Sequence, residues 1–252
     1  MRFEDRTIVI TGGGAGIGRR YAHRFAGEGA NVVIADLDGA AGERVASEVA
    51  ELGSAALSCE MDVTDDDAVV SMTERAVERF GGIDILVNNA GIHLQHAQLP
   101  FAVEALTEWR TLLDVNLLGP LACAAACRPH MAARGGGSII NHSSMAAYMG
   151  GGAYGVSKLA LNALTVNLAT EFGPDGIRVN GIAPGFADSE AAMEFMSERA
   201  GMEDWLLNGQ VIKRLGRMDD LADMALFLCS EEASFVTGQT ILVDGGSVKK
   251  PY

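Results

Sequence analysis

The chain has 252 residues, 48% of them hydrophobic, which suffices for one large buried core, and no Pro/Ser-rich linker or internal repeat divides it. Its formal charge of −14 repels nucleic-acid backbones and anionic membrane surfaces, so neither is an expected partner. The opening MRFEDR is charged ahead of any long apolar run, and Cys59, Cys123, Cys127 and Cys229 have neither CxxC nor zinc-type spacing, so a reduced, cytoplasmic protein without a metal is expected.

In chain order, seven short apolar runs read as strands: TIVIT at 7–11, NVVIAD at 31–36, ALSCEMD at 56–62, IDILVNNAG at 83–91, SIINHSS at 138–144, RVNGIAPG at 178–185 and TILVDGG at 240–246. Their near-continuous apolarity suits strands covered on both faces, and the segments between them are long enough for crossover helices. The expected fold is α/β, a single-domain, Rossmann-like, doubly wound parallel seven-stranded sheet over residues 1–252. Val45, Val49 and Leu52, and likewise Leu161, Leu164, Leu168 and Phe172, recur at helical spacing and mark core-facing stripes. Residues 186–214 carry no such stripe, mix apolar with acidic side chains, and read as a substrate-binding loop or lid.

Between the first strand and the first helix stand Gly12, Gly16 and Gly18, with Gly14 and Ile17 among them. Glycine there permits a tight turn and a close approach of backbone to a pyrophosphate, with N–H groups at a helix N-terminus aimed at the anion. Eighteen residues after Gly18, Asp36 ends the second strand, where a carboxylate can accept from both hydroxyls of an adenosine ribose and would repel a 2′-phosphate. Leu37 follows it and Ala15 precedes Gly16, so no cation is supplied for that phosphate, and NAD is expected rather than NADP. Asp36 as a plain turn residue, and Asp62 as a helix cap before TDDDAVV, are the blander alternatives.

The motifs T11-G12-x-x-x-G16-I17-G18, N88-N89-A90-G91, Y154-x-x-x-K158 and P184-G185 stand in one order along the chain, which ends in TGQTILVDGG at 237–246. Together they resemble the short-chain dehydrogenase/reductase family. The resemblance covers essentially the whole chain and implies a strand order 3-2-1-4-5-6-7 with a dinucleotide across the carboxyl edge. It also implies that Asp62 and Val63 contact the adenine, that Asn89, Ala90 and Gly91 border the cofactor, and that Ile182, Pro184 and Gly185 lie near the nicotinamide. Ser189 stands where the family often has a threonine. A catalytic set of Asn116, Ser144, Tyr154 and Lys158 is implied, as is a homotetramer built on helices around 104–133 and 155–173.

The chemistry behind that set is a hydride moving between a carbinol carbon and a nicotinamide while a proton leaves or arrives at the oxygen. Tyr154 and Lys158 are four apart and share a helix face, so an ammonium beside the phenol favours its phenolate, and Lys158 can also reach the nicotinamide ribose. Asn116 would hold a water that passes protons from Lys158 to solvent. Ser143 and Ser144 point to opposite faces of the strand end, and the family motif selects Ser144 for the substrate oxygen. Ser144 precedes Tyr154 by ten residues, fewer than is usual in the family, so MAAYMGGGA reads as a shortened substrate loop closed by its glycines.

Tyr148 has Gly152 rather than a lysine four residues on, and reads as a pocket wall with Met145, Ala147, Met149, His93, Leu94, Phe186, Met193, Met196 and Trp205. That apolar set suits a hydrophobic or alicyclic secondary alcohol or its ketone. His93 and His96 lack a third ligand and read as polar rim. An acyl-carrier enoyl or ketoreductase, and a non-catalytic dinucleotide sensor, are the alternatives.

Overall fold

The computed structural model describes residues 1–93 and 98–249. Strands β1 (Thr7–Thr11), β2 (Asn31–Asp36), β3 (Ala56–Glu60), β4 (Ile85–Asn88), β5 (Gly137–His142), β6 (Ile177–Pro184) and β7 (Thr240–Val243) form one sheet in the order β3-β2-β1-β4-β5-β6-β7. Every pairing is parallel. The expected fold and strand order are those observed. β1 is buried at all five positions, as a strand covered on both faces must be.

One face of the sheet carries α1 (Gly16–Ala26), α2 (Gly39–Glu51) and α9 (Met218–Cys229), whose Tyr21, Phe25, Val45, Val49 and Leu226 pack on Ile8, Ile10 and Ile140. The other carries α3 (Asp66–Phe80), α5 (Gly119–Ala133) and α6 (Gly152–Phe172), whose Met72, Cys127, Leu168 and Phe172 pack on Val9, Leu86 and Ile139. Among the described residues no helix is long and apolar enough to cross a membrane. The strand order reverses at β1 and β4, which opens a crevice at their carboxyl ends.

Three local readings change. Leu52 is 56% exposed, because α2 stops at Glu51 and Leu52 is its C-cap rather than part of its buried stripe. The third and fourth strands are shorter than their apolar runs: β4 stops at Asn88, and Asn89–Gly91 turn along the sheet edge instead. Within 186–214 two helices form, α7 (Glu190–Ser197) and α8 (Met202–Gly209). Their signals are local: Ser189 caps α7 by accepting from the Ala192 N–H, and Gly201, at φ +78°, permits the left-handed start of α8.

Candidate active site

The turn after β1 is fastened to the segment after β4. Asn89 Nδ2 donates to the Thr11 and Gly12 carbonyls at 3.1 and 2.9 Å, while Thr11 Oγ1 accepts from the Asn89 and Ala90 N–H groups. Gly12 has φ +62°, and a Cβ there would stand 2.9 Å from Ala90 Cα. Gly14 N–H donates to Asp36 Oδ2 at 2.7 Å and Asp38 N–H to Oδ1 at 2.9 Å, so the carboxylate is held in place at the end of β2. A Cβ on Gly14 would meet that carboxylate at 2.9 Å, which is why glycine stands there.

A dinucleotide fits this edge. Ala15, the N-cap of α1, has no side chain to bond the first N–H groups of the helix, so these stay available to an anion. Gly16 has nothing within 4 Å of a would-be Cβ, leaving open space above the turn. The cleft, about 660 Å³, runs from Asp36, Leu37, Asp62 and Val63 past Gly12, Gly16 and Ile17 to Asn89, Ala90 and Gly91, and on to Pro184, Gly185 and Ser189. Asp62 does not cap α3: Asp65 does, and Asp62 closes its own turn by accepting from Thr64.

At the far end of this cleft lie Ser144, Tyr154 and Lys158. Met145–Tyr148 form a single 3₁₀ turn and α6 begins at Gly152, which brings Tyr154 back to Ser144 over the short interval. The glycines close that loop: Cβ atoms on Gly151 and Gly155 would strike Ala146 at 2.7 and 2.6 Å. Ser144 Oγ accepts from the Ala146 N–H at 3.1 Å and faces the Tyr154 phenol. Ser143 points the other way, donating to Asn162 Oδ1 at 2.5 Å.

Lys158 Nζ donates to the His142 carbonyl at 2.8 Å and lies 5.7 Å from the centre of the Tyr154 ring. Burial governs both groups, pushing the Tyr154 phenol up to about 12 against the opposing pull of Ser144 and the Lys158 ammonium down to about 8. The phenol acidity expected from the four-residue spacing is therefore outweighed here by desolvation.

Asn116 is fully buried in a π-helical turn (Asp114–Leu118) between α4 (Leu106–Leu113) and α5. Its Nδ2 donates to the Ile92 carbonyl and Ser157 Oγ, and its Oδ1 accepts from the Ile92 N–H at 2.8 Å. Both side-chain donors are spent, so the water relay expected of it has only the second lone pair of Oδ1. That oxygen would lie 3.1 Å from a Cβ on Gly91, and Lys158 Nζ 3.5 Å from it, so glycine at 91 keeps the space between them clear.

Of the expected pocket walls, His93, Met145 and Phe186 line the cleft, joined by Ala146, Glu190 and Phe195, which the sequence reading had not singled out. Tyr148, Met149 and Trp205 do not line it. Tyr148 ends the 3₁₀ turn and its hydroxyl engages Thr240, while Met149 and Trp205 are 48% and 63% exposed. Met196 packs under Met145 with Leu206, and Met193 is exposed. Gly14, Gly18 and Asn116 stand behind the walls as supports. Leu94 and His96 lie outside the described residues. His142, on the cleft wall beside Lys158, was also missed; its signal was a titratable residue two positions after Ile140 at the end of a buried strand.

Replacing Lys158 by methionine removes a buried charge at nearly constant length, so K158M is expected to melt a few degrees above the wild type at pH 7. Folded Lys158 releases its proton near 8, unfolded lysine near 10.5, so between these values the unfolded chain binds more protons and wild-type stability rises with pH. The gap to K158M should shrink as pH climbs through about 8. Melting curves of both proteins from pH 6 to 10.5 check this; a gap that widens with pH contradicts it.

An open parallel sheet with a glycine turn at its switch point and a half-buried serine beside a buried tyrosine and lysine along the same edge defines an oxidoreductase. A family model described as enoyl-(acyl carrier protein) reductase matches residues 12–248. An uncharacterized oxidoreductase of Mycobacterium tuberculosis is 40% identical over 246 residues, 98% of either chain. The cis-4-hydroxycyclohexanecarboxylate dehydrogenase of Sinomonas cyclohexanicum is 37% identical over 248 residues, 97% of either chain. A solved 7α-hydroxysteroid dehydrogenase, complexed with NADH and 7-oxo glycochenodeoxycholic acid, is similar with a TM-score of 0.92 at 36% identity, covering 99% of this chain and 96% of that one. The chain belongs to the short-chain dehydrogenase/reductase family.

Proposed function

We propose that this protein is an NAD-dependent dehydrogenase that interconverts a hydrophobic or alicyclic secondary alcohol and its ketone. The observation that carries the reading is the Ser144, Tyr154 and Lys158 cluster at one end of a cleft whose other end is closed by the Asp36 carboxylate. Bound there, NAD supplies the acceptor or donor of the hydride. The remaining work falls to the protein. Ser144 Oγ holds the substrate oxygen beside the phenol, and Tyr154 takes the hydroxyl proton in oxidation or returns it in reduction. Lys158, fixed on the His142 carbonyl, lends its positive charge to the phenolate form and holds ribose hydroxyls.

The substrate class rests on the walls above the cluster, where Met145, Ala146, Phe186 and Phe195 are apolar. The names of two of these relatives, the hydroxycyclohexanecarboxylate and hydroxysteroid dehydrogenases, are of enzymes for alicyclic alcohols, which agrees. Residues 186–214 serve as a lid in this reading, since Phe186, Glu190 and Phe195 close the substrate end. A homotetramer on the outer faces of α5 and α6 also belongs to it, because Leu118, Leu121, Val156, Leu159 and Val166 are exposed apolar positions. A cytoplasmic location completes it, in keeping with the free thiols of Cys59, Cys123, Cys127 and Cys229.

The test is spectrophotometric. The protein is offered NAD with a panel of cyclic and linear secondary alcohols, and separately NADPH with a 3-oxoacyl or enoyl thioester. Reduction of NAD by cyclic alcohols supports the reading, and turnover of the thioesters alone replaces it with the acyl-carrier alternative. Among the described lining residues there is no arginine and no lysine but the buried Lys158, which speaks against a 2′-phosphate site. Accordingly the double change Asp36→Ala with Leu37→Arg is expected to raise the NADP-to-NAD ratio of kcat/KM by about 100-fold, since it exchanges a repelling carboxylate for a guanidinium at an exposed cleft edge. An unchanged ratio would remove Asp36 from cofactor selection.

A further inference from the structure

His142 ends β5 on the cleft wall, two residues before Ser144, and its carbonyl is the acceptor that holds Lys158. Its imidazole belongs to the opposite side of the strand from Ser143, the side that faces α1. There the Tyr21 hydroxyl lies 3.2 Å from Nδ1, with the two rings edge to face at 6.0 Å. Tyr21 is fully buried and makes no other hydrogen bond through its hydroxyl among the described residues, so the hydroxyl proton needs Nδ1 as its acceptor. That assigns the ring proton to Nε2.

Nε2 has no protein partner among the described residues. It is also absent from the buried side-chain atoms left without one, which are Asn88 Oδ1 and Asn162 Nδ2, so it opens onto the cleft. The ring stays neutral near pH 7: burial first, then the Lys158 charge and His93, drive its pKa down to about 3. It is therefore a fixed N–H donor facing a site whose ligand is rich in oxygen acceptors. Two further contacts place it along the ligand. Tyr21 lies one helical turn beyond Ile17, beneath the anion-binding end of α1. His142 pairs in register with Ile182 on β6, and β5 lies two strand spacings beyond β1, about 10 Å from the glycine turn and away from Asp36.

We propose that His142 is a cofactor-binding residue: Nε2–H, aimed by the Tyr21 hydroxyl, donates to a phosphate or ribose oxygen on the nicotinamide half of the dinucleotide. This rests on the NAD reading above. The bond ties α1, which carries the pyrophosphate, to the strand that carries Ser144 and anchors Lys158. The ribose is thereby set at the hydride-transfer end of the cleft.

The experiment measures dissociation constants of NADH, ADP-ribose and AMP for the wild type, His142→Leu, His142→Gln and Tyr21→Phe, with melting curves as a check on folding. H142L is expected to weaken NADH and ADP-ribose by about three- to tenfold, the worth of one ligand hydrogen bond, while AMP, which ends short of β5, binds unchanged. H142Q presents an amide donor at the reach of Nε2 and is expected to recover most of the loss. Y21F, which frees the ring without touching the cleft, is expected to fall between H142L and wild type. In ¹⁵N spectra of the wild type, the His142 Nε2 resonance should carry the proton and move on addition of ADP-ribose but not AMP. Equal affinities of H142L and wild type for ADP-ribose overturn the proposal, as does a proton found on Nδ1. If the wild type binds neither NADH nor ADP-ribose, the NAD reading itself falls, which is a separate result.

Discussion

Tyr154→Phe is expected to lower kcat for alcohol oxidation by about 10³-fold while leaving the dissociation constant of NADH within twofold or so of wild type. Phenylalanine keeps the ring of this buried residue and deletes only the oxygen that faces Ser144, so packing around Leu112 and Ala153 is preserved. What goes is the group proposed above to exchange a proton with the substrate oxygen. Lys158 cannot replace it, because its Nζ is committed to the His142 carbonyl and lies under the ring. Steady-state rates with a cyclic alcohol, beside NADH titrations by fluorescence, make the comparison. A kcat within tenfold of wild type would remove Tyr154 from the proton step, whatever the family resemblance implies.

The second large effect is expected at a residue that touches no ligand. A Cβ on Gly18 would stand 2.0 Å from the Gly12 carbonyl oxygen and 2.6 Å from Asn89 Nδ2. Neither neighbour can yield cheaply, since Asn89 Nδ2 donates to that same carbonyl at 2.9 Å and thereby joins the glycine turn to the β4 edge. Gly18→Ala is thus expected to cost about 3 kcal/mol of stability, at the upper end of overpacking penalties, and to weaken NADH binding by at least about 100-fold. Gly16→Ala is the contrast: its φ of +51° strains an alanine by about 1 kcal/mol, but nothing stands within 4 Å of the new methyl. Melting curves on the two variants should separate by that margin; NADH titrations do not serve as the contrast, since a methyl on Gly16 enters the cleft itself. Equal behaviour would mean that the turn relaxes and that close approach to Gly12 is not what requires glycine at 18.

Much of this site was legible because it is written in short-range signals. The glycine turn, the acid at the end of the second strand and the i,i+4 pair of Tyr154 and Lys158 each follow from a backbone requirement or a helix period that needs no knowledge of distant segments. Strand alternation required that only one of Ser143 and Ser144 face the cleft and the family motif selected Ser144; the opposed directions of the two side chains agree with this. His142 carried the same kind of signal and went unread, since a histidine after Ile140 in a buried strand has to find a polar partner.

The rest depended on what other parts of the chain do. That Asn116 spends both donors on Ile92 and Ser157 follows from a π-helical turn meeting the segment after β4 and the start of α6. Tyr148 leaves the cleft for Thr240 because the 3₁₀ turn aims it there, and no residue near it in sequence says so. The direction of the Tyr154 shift is of the same kind: spacing predicted a phenol made more acidic by lysine, and burial under surrounding elements reversed it. The sequence by itself therefore determined the sheet, the strand order through its family motifs, the glycine turn and the meeting of Ser144, Tyr154 and Lys158 with Asp36 along one cleft. Only the tertiary structure decided how dry that meeting place is, which loop side chains face it, and which donors are already taken. Periodicity and backbone conformation are local properties of a chain, whereas desolvation and hydrogen-bond competition are set by neighbours brought together from tens of residues away.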